Sequence, residues 1–184
     1  MRIFISIELP ETIKDNIAGA VNKMRTMLTP VKWVEKKNLH ITLKFLGWVE
    51  DEKVKGLEDC VAECVKGFGA FELEFSGMGA FPDLKRPRVI WVGTKDGAES
   101  SKELADKIDC EISEKGFREE EREYTPHLTV GRIKERIDVA PLMDFIAEHE
   151  RTDFGKFKVD HVSVMKSTLR RTGPIYDEIG RISL

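Results

Sequence analysis

The sequence predicts a single bilobal α+β domain with an internal pseudo-repeat, spanning 1–184. Three observations predict it. Stretches in which apolar residues alternate with period two interleave with stretches at helical spacing. No Gly/Ser/Pro-rich linker or low-complexity segment divides the chain. A four-residue pattern, His40-Ile41-Thr42-Leu43, returns 87 residues later as His127-Leu128-Thr129-Val130, so each half is expected to read strand, helix, motif strand, helix.

Met1 to Leu9 is an opening strand, apolar on both faces for most of its length and so expected in the middle of a sheet. Pro10 and Glu11 open a helix whose stripe is Ile13, Ile17, Val21, Met24 and Leu28, ended by Thr29-Pro30. Val31 to Val34 is a short strand. Leu39 to Leu46 is the first motif strand, closed by Gly47; strict alternation puts His40, Thr42 and Lys44 on one face and Ile41, Leu43 and Phe45 in the core. Glu50-Asp51-Glu52 starts a second helix with the stripe Val54, Leu57, Val61, Cys64 and Val65.

Phe71 to Phe75 is a strand with one wet face, Gly77 to Pro82 a turn, and Arg88 to Gly93 another strand. A third helix, capped by Ser100 or Ser101, buries Leu104, Ile108 and Ile112 and stops at Gly116. Tyr124 to Arg132 carries the second motif. Asp138 and Pro141 begin a fourth helix, with His149 near its end as a dipole partner or core-edge residue. Phe154 to Val159, His161 to Ser167 and Ile175 to Ser183 are closing strands, the last two joined by a basic turn over 170–174. His161 lacks a Thr two residues on and reads as a surface histidine.

An apolar fraction of 41% with 34% charged residues is that of a soluble globular protein with a substantial core. The formal net charge of -3 excludes a protein that binds nucleic acid by charge alone, so any polynucleotide must be held at a local basic site. Lys85, Arg86 and Arg88 form one candidate cluster, and Arg132, Lys134 and Arg136 another. Cys60 and Cys64, four apart on a helix, cannot by themselves close a zinc site, and with Cys110 they read as reduced thiols in a cytoplasmic protein. Nothing is long and apolar enough for a membrane span.

On a strand, the imidazole and hydroxyl of each motif leave on the same face, about 7 Å apart. Singly, such a pair is an ordinary half-exposed surface feature; it is the repetition that argues for a site. Two imidazoles titrating near pH 6.5 can divide the work, one neutral and taking a proton from water, the other cationic and giving one to a leaving oxygen. The hydroxyls of Thr42 and Thr129, with a nearby Arg132 or Lys44, would hold an anion between them, most naturally a phosphate. This chemistry needs no metal and no cofactor, and which imidazole is the acid is left open by the residues.

At the two motifs the chain resembles the 2H phosphoesterase superfamily and, within it, the RNA 2',3'-cyclic phosphodiesterase family, also described as 2'-5' RNA ligases. The likeness runs through Arg2 to Leu9, Asn38 to Gly47, Arg88 to Val92, Tyr124 to Arg132, Ser167 and Gly173 to Tyr176. It implies two antiparallel sheets with outer helices, related by a pseudo-two-fold around an active-site groove. It implies an RNA ending in a 2',3'-cyclic phosphate as substrate, tRNA fragments among its forms, opened to a 2'-phosphomonoester by a monomeric enzyme. DNA has no 2' oxygen and is excluded. The resemblance also implies His40 as proton donor and His127 as proton acceptor. Two other outcomes stay open on sequence: 2'-5' ligation through the same site, and a module that binds RNA ends without turnover.

Overall fold

A computed structural model describes residues 1–28, 30–171 and 173–184. The expected helix stop at Thr29 and the middle of the expected turn, Thr172, lie outside these. The elements run β1 (Arg2–Glu8), α1 (Glu11–Arg25), β2 (Val31–Trp33), a 3₁₀ turn (Lys36–Asn38), β3 (His40–Trp48), α2 (Asp51–Val54), α3 (Leu57–Val65), β4 (Phe71–Phe81), β5 (Val89–Thr94), α4 (Ala98–Glu114), β6 (His127–Ile133), α5 (Ala140–Glu148), β7 (Asp153–Val159), β8 (His161–Arg170) and β9 (Gly173–Ser183). The strands form two antiparallel sheets, the first in the order β3-β1-β8-β9 and the second β2-β6-β5-β4-β7.

Two units share an arrangement, β1-α1-β3 and β5-α4-β6, each pairing a strand with the motif strand that follows its helix. The lobes are nevertheless not halves of the chain. Strands β8 and β9 return to pair with β1, so the first sheet joins the two ends of the sequence around the second. In β1, Ile3, Ile5 and Ile7 point to the core while Arg2 and Phe4 face the other way, which is why the strand reads as apolar on both faces.

Helices cover the outer faces and tie the lobes together. α1 leaves the first sheet and reaches β7 of the second, where the side-chain amide of Asn16 donates to the Phe154 carbonyl at 3.0 Å. α4 leaves the second sheet and packs on β3 of the first. Ile13, Ile17, Val21 and Met24 of α1 and Leu104, Ile108 and Ile112 of α4 join one core that continues into both sheets.

Three expectations are corrected. The second helix is two, because Gly56, poor in helix interiors, ends α2 and leads α3. The expected turn from Gly77 is strand: β4 bulges between Phe75 and Met78 and carries on to Phe81. Gly77 there has φ +72°, and a Cβ would stand 2.6 Å from the Glu150 carbonyl oxygen, so only glycine fits. α4 is led by Gly97 in the left-handed region, which leaves Ser100 and Ser101 inside the helix rather than at its cap.

Candidate active site

The two motif strands meet between the sheets. Their histidines and threonines line one groove of about 650 Å³, together with Arg2, Phe4, Phe45, Arg132, Ser167 and Tyr176. Each histidine begins its strand, and each is held in the same way. Nδ1 of His40 lies 2.8 Å from the Asn38 carbonyl oxygen, and Nδ1 of His127 lies 2.7 Å from that of Thr125. A carbonyl only accepts, so Nδ1 carries the proton in both rings and Nε2 is the nitrogen free for chemistry. At His40 that nitrogen meets the Thr42 hydroxyl at 3.1 Å.

The walls differ. His40 is packed between Phe4, at 4.8 Å between centroids, and the edge of Tyr176, at 5.2 Å. The Asn38 side chain donates to the Pro174 carbonyl at 3.0 Å, pinning the 3₁₀ turn below the ring to β9. His127 stands edge-on to Phe81 at 5.1 Å. Burial pushes His40 down to about 4, with Lys14 and Arg132 adding to the effect against the Asn38 hydrogen bond. Burial also lowers His127, again with Arg132 adding to it, against the Thr125 hydrogen bond. Both rings are therefore largely neutral near pH 7 in the ligand-free protein, and His40 is the more firmly so.

Lys44 is not in the groove. The pairing of β1 with β3 steps from Ser6–Thr42 to Ile5–Lys44, so Leu43 is an extra residue and the strand bulges there. Beyond the bulge, alternation is reversed. Lys44 turns inward, 3% exposed, and its ammonium donates to the Asp109 carboxylate on α4 and to the Arg118 carbonyl. Phe45, which strict alternation sends to the core, faces the groove instead, stacked on Phe4 at 6.4 Å with the Arg2 guanidinium 4.9 Å from its ring.

The second motif bulges at the matching position. β6 steps from Thr129–Trp91 to Gly131–Ile90, leaving Val130 extra, and this reversal brings exposed Arg132 onto the groove side. Phe45 and Arg132 are thus equivalent positions of the two units, each five residues after its histidine. Sequence reasoning missed Phe45 and did not single out Phe4 or Tyr176. The alternation of Pro174 and Tyr176 along β9 is the signal that could have placed the latter.

The groove is basic. Arg2, Lys32, Arg132 and Lys134 line it against one carboxylate, Glu35, which lies 3.1 Å from Lys37. Among the described residues, no group of three or more His, Cys, Asp or Glu side chains is placed to hold a metal ion, and no helix is long and apolar enough to cross a membrane. Neutral imidazoles beside threonine hydroxyls and free cations suit a phosphate that arrives with its own negative charge.

The family model of the 2'-5' RNA ligase superfamily matches residues 13–171. The chain belongs to this superfamily. It is 38% identical over 179 residues to the RNA 2',3'-cyclic phosphodiesterase of Methanocaldococcus jannaschii, covering 97% of this chain and 98% of that one. It is 35% identical over 179 residues to the protein of the same name from Methanothermobacter thermautotrophicus, covering 97% and 96%. The structure of TT0787 of Thermus thermophilus superposes with a TM-score of 0.83 at 25% identity, covering all of this chain and 98% of that one. The groove of this superfamily member is the feature that the rest of the fold positions.

Because His40 is neutral when the groove is empty, anion binding should load it with a proton. A bound anion raises the imidazole from about 4, so between the free and bound values a proton is taken up and affinity rises as the pH falls. Sulfate tests this, since it stays a dianion throughout. Calorimetric titration at pH 6 in two buffers of different ionisation enthalpy should show net proton uptake, reduced in His40→Gln. Binding without uptake would mean that the charge is met by Arg132 and its neighbours alone.

Proposed function

We propose that this chain opens the 2',3'-cyclic phosphate at the end of an RNA, leaving a 2'-phosphomonoester and a free 3'-hydroxyl, by a paired-histidine mechanism that needs no metal. The observation that carries the reading is the duplicated site. Two His-x-Thr pairs, each with Nδ1 fixed on the carbonyl two residues upstream, face one basic groove. The names of relatives 35% and 38% identical over nearly the whole chain support it.

Nε2 of His127 takes a proton from water as its oxygen attacks phosphorus. The P–O3' bond breaks in line, and Nε2–H of His40 protonates the departing 3' oxygen. His40 can give that proton because it gains one with the anionic substrate. The hydroxyls of Thr42 and Thr129 donate to the non-bridging oxygens, and Arg132 adds positive charge where it accumulates. This division of roles is the one the resemblance implies. The neutral state of His40 in the empty groove makes it conditional on substrate charge.

The test is to incubate the protein with a short RNA ending in a 2',3'-cyclic phosphate, with and without excess EDTA, and to locate the phosphate in the product. We expect a 2'-phosphate at equal rates in both. A rate abolished by EDTA would overturn the metal-free mechanism. An intact cyclic end on tightly bound RNA would make the groove a binding site. Transfer to an added RNA 5'-hydroxyl in preference to water would make the protein a ligase.

A further inference from the structure

The groove's positive charge continues outside it. A row of paired positions crosses four strands of the second sheet, Phe81 on β4, Val89 on β5, Arg132 on β6 and Lys32 on β2. At this end of the sheet the β4–β5 loop carries Lys85, Arg86 and Arg88, all exposed. The loop is joined to the groove at both of its ends. Phe81, where it begins, packs edge-on against His127 at 5.1 Å, and the Arg88 guanidinium, where it closes, lies 3.4 Å from the Lys134 carbonyl oxygen.

The acid in this loop is already engaged. The Asp83 carboxylate accepts the backbone N–H groups of Lys85 and Arg86 at 2.8 and 2.9 Å, so it shapes the turn and leaves both cationic side chains facing solvent. Among the described residues, none of Lys32, Lys85, Arg86, Arg88, Arg132 and Lys134 has a carboxylate within 4.0 Å, so all six charges on this one surface are left for a ligand. Glu135 is the one carboxylate within the adjoining run from Arg132 to Arg136. In a chain of net charge -3, six unpaired cations running out from the reacting centre are more than one phosphate can use.

We propose that this end of the second sheet is the track for the body of the RNA. The nucleotides upstream of the cyclic end leave the groove past Arg132 and Lys134, and their phosphates lie along Arg88 and the Lys85–Arg86 turn. The substrate class that follows is an oligonucleotide or longer RNA with a single-stranded end, preferred to a cyclic mononucleotide, which reaches none of the loop. This inference rests on the reading of the groove given above. The contacts are to backbone phosphates, so they add affinity without reading sequence.

The experiment compares kcat/KM for a 2',3'-cyclic mononucleotide and for a six-nucleotide RNA ending in a cyclic phosphate, over a range of salt. The proteins are the parent, the double variant Lys85→Glu/Arg86→Glu and a control reversal, Lys53→Glu/Lys55→Glu, which makes the same charge change on exposed residues of the first lobe. We expect the RNA to be the better substrate. The loop variant should lose on the order of tenfold or more on the RNA and nothing on the mononucleotide, and its log–log salt dependence should be shallower by about 1.4, for two phosphate contacts of a single strand. The control should match the parent on both substrates. No loss on the RNA, or equal loss on both substrates, would overturn the track. A loss shared by the control would assign the effect to net charge. Failure of the parent to open either substrate would overturn the functional reading instead.

Discussion

Replacing either His127 or His40 with alanine is expected to slow opening of a cyclic-ended RNA by a factor on the order of 100 to 10,000, while the RNA end still binds. Each ring is fixed through Nδ1 to a neighbouring carbonyl, so what the substitution removes is a placed Nε2 and little of the fold. The two losses should not add, because a step that needs both proton transfers fails when either is missing. The pH profiles carry the finer expectation. kcat/KM reports the free enzyme, in which both imidazoles lie below 6.5, so it should peak on the acid side of that value. kcat reports the bound enzyme, in which the phosphate raises both, and should peak nearer neutrality. Single-turnover rates across pH 4 to 9 measure both; a flat profile, or a histidine variant within a few fold of the parent, would sink the paired acid and base.

Replacing Asp109 with alanine is expected to cost about 3 kcal/mol of stability, the low end of the range for breaking a buried pair, because Asp109 is itself partly exposed. The substitution strands the Lys44 ammonium, whose side chain is 2% exposed, with the Arg118 carbonyl as its remaining acceptor. For a chain of this length that corresponds to a fall in Tm of about 6 to 12 °C, readable by thermal or urea denaturation. Lys44→Met should be milder, since it leaves a carboxylate that can reach water, and Lys44→Met/Asp109→Leu should recover much of the loss. Turnover by folded Lys44→Met should stay within about threefold of the parent. Turnover lost while the variant remains folded would return Lys44 to the site, against the geometry of β3.

The histidine pair and the Lys44–Asp109 pair lie on either side of the boundary between what the sequence reveals and what it hides. The motif strands and the helical stripes of α1 and α4 follow from periodicity, because burial selects residue type with the period of the element, whereas the convergence of His40, Thr42, His127 and Thr129 was argued from the repetition of the motif. Lys44 and Phe45 were exchanged because that period slips by one at Leu43. Bulges of this kind keep their residues at negative φ, and the described residues with positive φ are all glycines, so neither Leu43 nor Val130 carries a mark of it. The same slip at Val130 carries Arg132 into the groove, where strict alternation would have sent it away. Gly77 did leave a mark in β4, but a glycine read without its partner strand looks like a turn.

The return of β8 and β9 to β1 sets an order on assembly. Every strand of the second sheet lies between Val31 and Val159, whereas β1 gains its second partner only once β8 has been made. The half of the site bearing His127 can thus be in place while the wall that holds His40, built from Tyr176 and the Asn38–Pro174 clasp, is still being synthesised. Closing the loop from β1 to β8 spans most of the chain, an entropic cost met late and only once. Loss of the β8–β9 hairpin would remove Tyr176 and the Pro174 carbonyl from the setting of His40 without touching either motif.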